Sequence, residues 1–436
     1  MRHPAAPMMS LGTIRSCAIA AAAIGLIGVP VAAQPVPVPG PPLPAPFIAP
    51  NTDACPQRSV PPPAIDQSEV PAPGDPVPTP LPVPSEPVGG DDLGRCGVVT
   101  AAGTPPLPAD ISATSWVLSD LDTGEVLAAK DPHGRYRPAS TIKILLALVA
   151  LENLDLDTTI VATKADADVE GSAVGLGPGG TYTNRQLLQG LVMASGNDAA
   201  HALAAQLGGD AETVRKMNEM ARRLGALDTR AATPSGLDGP GMSSSAYDLS
   251  LIYREAMRNE TFAELIHTQT VDFPGFPRDP ADPEDKDHPG FVLANDNKLL
   301  YNYDGALGGK TGYTDDARQT FVGGAERGGR RLAVTLMKAD VLPIRPWEQA
   351  ARLLDHGFAL PSGTSVGELV EPGSSAGAAP VTVASPPAAD GATADTTAGS
   401  VAIASGGSRT VVAASGAALA AVFVGAAALA HRRRRR

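Results

Sequence analysis

Three short groups of residues in this 436-residue chain are built from the side chains that acyl transfer needs. Ser140 and Lys143 stand at the start of an apolar stretch, residues 142–151. In a helix that spacing puts both on one face, one turn apart. A serine hydroxyl is a weak nucleophile until a base takes its proton, and an amine held in an apolar wall can be neutral often enough to do so. Pro138 and Ala139 place Ser140 at a helix N-terminus, where the dipole favours developing negative charge. Ser195-Gly196-Asn197 falls between two helical patterns and reads as a tight connection. Gly196 allows an unusual backbone angle, Ser195 could relay a proton, and Asn197 could exchange hydrogen bonds with a peptide group. Lys310-Thr311-Gly312 follows Gly308 and Gly309, just before two closing strand patterns. Lys310 and Thr311 could bind a carboxylate, and Gly312 would let a substrate backbone approach. Each group also has an ordinary reading. Ser140 would be a helix cap with the Lys143 stem packed on the core, and the other two would be turns.

The elements that must position these groups are legible around them. Residues 116–121 and 125–129 flank Asp122-Thr123-Gly124, which is hairpin chemistry. Helical patterns cover 140–151, 185–194, 198–207 and 211–224. The last carries Val214, Met217, Met220 and Ala221 on one stripe, with Arg215, Lys216, Arg222 and Arg223 elsewhere. Residues 319–325 and 331–337 read as two strands joined by 326–329. A helix over 346–356 closes the domain, with Gly357 just past it. Strands at both ends and helices between them predict a mixed α/β (α+β) fold. Its antiparallel sheet is assembled from both ends of the domain and packs against helices, with a helical subdomain.

Composition separates this domain from its flanks. Apolar content is ordinary at 43%, aromatics are only 4%, and the 43 prolines concentrate outside the middle of the chain. Arg2, His3 and Arg15 precede an apolar run, and Val31-Ala32-Ala33 offers small residues for cleavage, so residues 1–33 read as a signal peptide. The alternative is a retained membrane helix, which the short run and Pro30 disfavour. Residues 34–95 are Pro-rich and predict a semi-rigid extracytoplasmic stalk. Residues 96–362 are globular and 363–408 are a low-complexity linker. Residues 410–430 carry no charge, so a membrane helix is assigned to 409–430, with the basic tail 431–436 on the cytoplasmic side.

Export leaves Cys55 and Cys96, which most simply pair in an oxidising compartment; two free thiols are the alternative. A net charge of −12 argues against nucleic acid as a partner. No metal or other cofactor is expected, because the seven histidines are scattered and show no zinc-protease spacing. His201 and His267 read as structural.

Taken in order, the three groups match Ser-x-x-Lys, Ser-x-Asn and Lys-Thr-Gly, the set shared by penicillin-binding proteins and class A β-lactamases. Over residues 100–360 the chain resembles the serine D-alanyl-D-alanine carboxypeptidases, the low-molecular-mass penicillin-binding proteins. Gly196 within the second motif, residues 233–238 and residues 241–248 are typical of that family. The resemblance implies a β-lactamase/transpeptidase-like fold and the following roles. Ser140 attacks the carbonyl between two terminal D-alanines and Lys143 is its base. Ser195 passes the proton to the leaving amine, and Asn197 holds the substrate amide. Lys310 and Thr311 receive the terminal carboxylate beside Gly312. The backbone N–H groups of Ser140 and Tyr313 form an oxyanion hole, worth roughly 3 kcal/mol per donor. Arg345 sits where some members carry a further carboxylate-binding arginine. The implied partners are peptidoglycan stem peptides, with β-lactams as acylating inhibitors.

Two other readings remain. A class A β-lactamase needs a glutamate that activates the deacylating water, and Glu255 with Asn259 has the right spacing but lies far along, at a helix end. A non-enzymatic sensor of cell-wall peptides or β-lactams would keep the fold, although three intact motifs argue against it.

Overall fold

The computed structural model describes residues 47–374. The expected signal peptide, membrane helix and basic tail, with most of the expected linker, lie outside the described residues. Among the described residues no helix is long and apolar enough to cross a membrane.

The domain opens with β1 (Val98–Thr100), β2 (Ser115–Asp120) and β3 (Glu125–Lys130). A 3-10 turn (Ala139–Ile142) runs directly into α1 (Lys143–Asn153), whose first eight residues are all buried. Burial on every side explains why that stretch is apolar without a polar face. Next come β4 (Thr159–Val161), the single-turn α2 (Lys164–Ala167) and β5 (Thr181–Thr183). The helical region is α3 (Asn184–Met193), α4 (Asn197–Gln206), α5 (Asp210–Leu224), α6 (Ala246–Ala256) and α7 (Glu260–His267). Thr183, Ser245 and Asn259 cap α3, α6 and α7 by accepting from Gln186, Asp248 and Phe262 N–H groups. Each such cap is worth about 1 kcal/mol. The hairpin β6 (Thr270–Phe273) and β7 (Phe291–Ala294) and the short α8 (Leu299–Asn302) lead to β8 (Ala306–Thr314), β9 (Arg318–Arg327) and β10 (Arg330–Ala339). Then α9 (Pro346–Ala359) and β11 (Gly367–Glu368) close the domain.

The main sheet runs β1-β3-β2-β10-β9-β8, with β11 also on β3, and its pairings are antiparallel. The early hairpin therefore meets the late one where β2 pairs β10, Leu118 opposite Val334. Side chains alternate along these strands. Trp116, Leu118, Leu332, Val334 and Leu336 pack with Leu353 and Leu354 of α9, while Val117, Ala333 and Met337 join the core formed with α1 and α3 to α7. Helices thus cover both faces of the sheet.

Three boundaries differ from the sequence expectations. Gly357 lies inside α9, not past it: a Cβ there would sit 2.8 Å from Leu332 Cδ1 and 3.1 Å from Leu118 Cδ1, so glycine lets the helix approach the sheet. The described part of the Pro-rich segment, residues 47–95, does not stand away as a stalk but lies on the domain. Prolines leave a chain with more carbonyl acceptors than N–H donors, and the buried Arg135 guanidinium uses those of Ser59, Leu81 and Pro82 at 2.6–2.8 Å. A disulfide joins Cys55 to Cys96 across this arm. The domain also extends past residue 362, because β11 pairs with β3 and Leu369 and Val370 are buried.

Candidate active site

The 3-10 turn delivers Ser140 half-buried, just after Ala139, whose φ is +47°. Lys143 is fully buried at the first turn of α1. Its Nζ meets three oxygens: Ser140 Oγ at 2.9 Å, Asn197 Oδ1 at 2.7 Å and the Ser235 carbonyl. The last two can only accept. A neutral amine has two N–H bonds and one lone pair. The two N–H bonds suit Asn197 and Ser235, which leaves the lone pair for the Ser140 hydroxyl hydrogen. Burial holds the Lys143 amine well below the usual lysine range. The Lys310 charge pushes the same way, against Asp198 and Asp296. The geometry accommodates a neutral amine and burial favours it, which equips Lys143 to act as a base towards Ser140.

Ser195 and Gly196 connect α3 to α4. Ser195 is in the left-handed region, φ +60°, a conformation that costs a non-glycine residue about 1 kcal/mol or more. It presents its side chain to the same cleft as Ser140. Asn197 is committed at both ends: Oδ1 accepts from Lys143, and Nδ2 donates to the Glu170 carbonyl at 2.7 Å. In this structure its contacts position the base. Asp198 accepts from the N–H groups of Val174, Gly175 and Leu176 at 2.8–3.0 Å and so anchors the loop that carries Ser172 to the cleft.

Lys310-Thr311-Gly312 lies within β8, not in a connection before the strands. A Cβ at Gly312 would sit 2.3 Å from Thr320 Oγ1 and 2.9 Å from Ser140 N, so only glycine lets β8 lie against the nucleophile turn. Thr320 Oγ1 in turn donates to the Pro138 carbonyl at 2.8 Å. Lys310 is fully buried, its pKa lowered by burial and raised by Asp296. Tyr313 is half exposed at the rim. Ser140, Ser172, Ser195, Asp296, Thr311, Gly312, Tyr313 and Gln319 line a cleft of about 210 Å³. A wider groove of about 390 Å³ between the arm and the ends of β9 and β10 holds Arg318 and Lys338 but no serine beside a lysine.

The remaining sequence candidates lie elsewhere. Arg345 is exposed at the N-cap of α9 and is not among the residues lining the cleft. Glu255 is at the end of α6, paired with Arg258 at 3.1 Å, and Asn259 caps α7. His201 bonds Asp166 at 2.7 Å and His267 is exposed in the last turn of α7. Asp296, Asp198, Ser172 and the Ser235 carbonyl were given no role by sequence reasoning. Two had a usable signal: Asp198 as the acidic residue in the first turn of a helix, and Ser235 as part of the family-typical segment 233–238.

A serine paired with a buried lysine at the start of a helix, beside a sheet covered by helices on both faces, defines a serine acyl-transfer enzyme of the transpeptidase-like class. Residues 99–341 match the D-alanyl-D-alanine carboxypeptidase family, and the chain belongs to it. The chain is 50% identical over 275 residues to D-alanyl-D-alanine carboxypeptidase DacB2 of Mycobacterium tuberculosis, covering 62% of this chain and 90% of that protein. Against DacF of Bacillus subtilis it is 33% identical over 252 residues, spanning 56% of this chain and 62% of that one. The crystal structure of a D-alanyl-D-alanine carboxypeptidase from Mycobacterium tuberculosis shares 49% identity at a TM-score of 0.57, covering 62% of this chain and 99% of the other. The Streptomyces K15 DD-transpeptidase shares 30% at 0.53, covering 59% and 100%.

Proposed function

We propose that the protein is a serine D-alanyl-D-alanine carboxypeptidase that removes the terminal D-alanine from peptidoglycan stem pentapeptides. The observation that carries this is the environment of Lys143 Nζ, two obligate acceptors and the Ser140 hydroxyl. Lys143 takes the proton as Ser140 Oγ attacks the penultimate carbonyl. The oxyanion is received by the N–H groups of Ser140 and Tyr313. The proton passes by way of Ser195 to the leaving nitrogen, the C–N bond breaks and D-alanine departs. Water, deprotonated by Lys143, then opens the Ser140 ester and returns the serine. No step calls for a metal or other cofactor. Lys310 and Thr311 are the seat for the terminal carboxylate. Arg345, exposed at the N-cap of α9, is assigned no role here.

The β-lactamase reading is disfavoured by the place of its candidate glutamate, Glu255, at the end of α6 and paired with Arg258, so a penicillin ester on Ser140 should persist. An exported, membrane-tethered protein with its catalytic domain outside is part of the proposal. The charge pattern of residues 1–33 and 409–436 and the Cys55–Cys96 bond support it. The full chain in detergent, incubated with a fluorescent penicillin and with a synthetic stem pentapeptide, tests the reading. Lasting label and D-alanine release, both lost in Ser140→Ala, are expected. Label without D-alanine release would favour a sensor, and rapid penicillin turnover a β-lactamase.

A further inference from the structure

Asp296 lines the cleft beside Lys310 and Thr311. Its backbone N–H donates to the Met193 carbonyl at 2.8 Å, which fixes it between the end of α3 and β8. Its Oδ2 accepts the Thr311 hydroxyl at 3.0 Å, while its Oδ1 is shut off from solvent without a hydrogen-bond partner. A buried carboxylate oxygen left unpaired is costly and calls for a reason. Lys310 offers part of it. Its ammonium is buried with one hydrogen bond, to the Thr311 carbonyl at 2.7 Å, and Asp296 is the negative charge that acts on it.

A threonine hydroxyl has a single hydrogen to give. While Thr311 gives it to Asp296, it cannot give it to a ligand. A carboxylate seated on Lys310 and Thr311 must take that hydrogen from Asp296, and must do so with a like charge alongside. An entering carboxylate brings a second negative charge to a lysine that already has Asp296 acting on it.

We infer that Asp296 is a resident stand-in for the substrate carboxylate. In the empty cleft it holds the Thr311 hydroxyl and balances Lys310, and the ligand's carboxylate displaces it. Asp296 is thus a positioning residue that sets how strongly the cleft prefers a free carboxylate to a neutral end. The same competition hastens departure of the D-alanine product. This inference rests on the carboxypeptidase reading above.

The test compares acylation of Ser140 by benzylpenicillin and by its methyl ester, as second-order rate constants followed by intact-protein mass spectrometry. In Asp296→Asn the ratio of carboxylate to ester rates should rise roughly three- to tenfold, the scale of one like charge removed from a partly buried site. Asp296→Ser, which keeps an acceptor for Thr311 and drops the charge, should do the same if Asn does not fold. Asp296→Glu should leave the ratio near that of the parent. Equal slowing of both ligands would mean a merely structural residue, and a fallen ratio would mean that Asp296 aids carboxylate binding; either overturns the inference. A parent protein acylated by neither ligand would refute the carboxypeptidase reading first, and this inference with it.

Discussion

Asn197 Oδ1 accepts a hydrogen bond from Lys143 Nζ at 2.7 Å, joining residues 54 apart in sequence. The side chain that holds the base comes from the second motif, so the first motif is incomplete without it. In Asn197→Asp the acceptor would carry a charge and favour the protonated lysine. Because only neutral Lys143 can take the Ser140 proton, the acid limb of the penicillin-acylation profile should move to higher pH. At pH 7 the rate should fall on the order of tenfold or more, since general-base assistance is worth 10²–10⁴. An unmoved acid limb would show that Lys143 is not the titrating base.

Gly312→Ala should act on the nucleophile and not on the fold as a whole. The added methyl would press on Thr320 Oγ1 and Ser140 N. A displacement near 1 Å at a reacting group can cost about 100-fold in rate. The acylation rate constant should fall by that order, while overpacking at this one site costs about 1–3 kcal/mol of stability by urea titration. Acylation at the parent rate would remove the close approach from the argument.

The Cys55–Cys96 bond closes a loop with a sequence separation of 41 residues. In the chain-entropy account a loop of that size is worth roughly 4 kcal/mol. The double replacement by serine should lower Tm and open residues 56–95 to limited proteolysis, with penicillin labelling of Ser140 retained. An arm that stays protected would mean that the Arg135 contacts, with those of Arg137 to the Pro62 carbonyl at 2.8 Å and the Glu69 carboxylate at 2.7 Å, suffice to hold it.

Beneath the arm lies a cluster of buried ionisable groups. Burial and the neighbouring Asp228 charge raise the Asp248 carboxyl, and burial lifts Asp131 to about 7 against the hydrogen bond from Tyr136. A native state that keeps protons the unfolded chain releases near pH 4 loses stability as pH rises through that window. Asp248→Asn, whose amide oxygen can still accept from Asp228 N and Thr229 Oγ1, removes one such group. Its Tm relative to the parent should therefore climb between pH 5 and pH 8. A difference that is flat with pH would sink the assignment.

Much of this molecule was legible because its signals are local. The Ser-x-x-Lys spacing survives the change from a 3-10 turn to α1, since both geometries leave the two side chains on one face. The strands that flank 121–124 and 328–329 showed in turn chemistry and alternation. What was hidden depends on contacts far along the chain. Asp296 carries no periodic or motif signal, and only the packing of β8 brings it to Thr311. Gly357 looked like a helix stop because its contacts, Leu118 and Leu332, belong to other elements. The docked arm was unreadable for the same reason: Arg135 looks like any surface arginine until its carbonyl partners are known.

That arm also bears on how far the enzyme can range. Laid against the domain, residues 47–95 withdraw about 150 Å of extended polyproline contour at 3.1 Å per residue. They add no reach between the domain and whatever precedes residue 47. If the protein is held at residues 409–430, as proposed, that arm leaves the domain at the opposite end of the chain from the anchor. Trimming the prolines should then leave unchanged which layer of peptidoglycan the catalytic serine can visit.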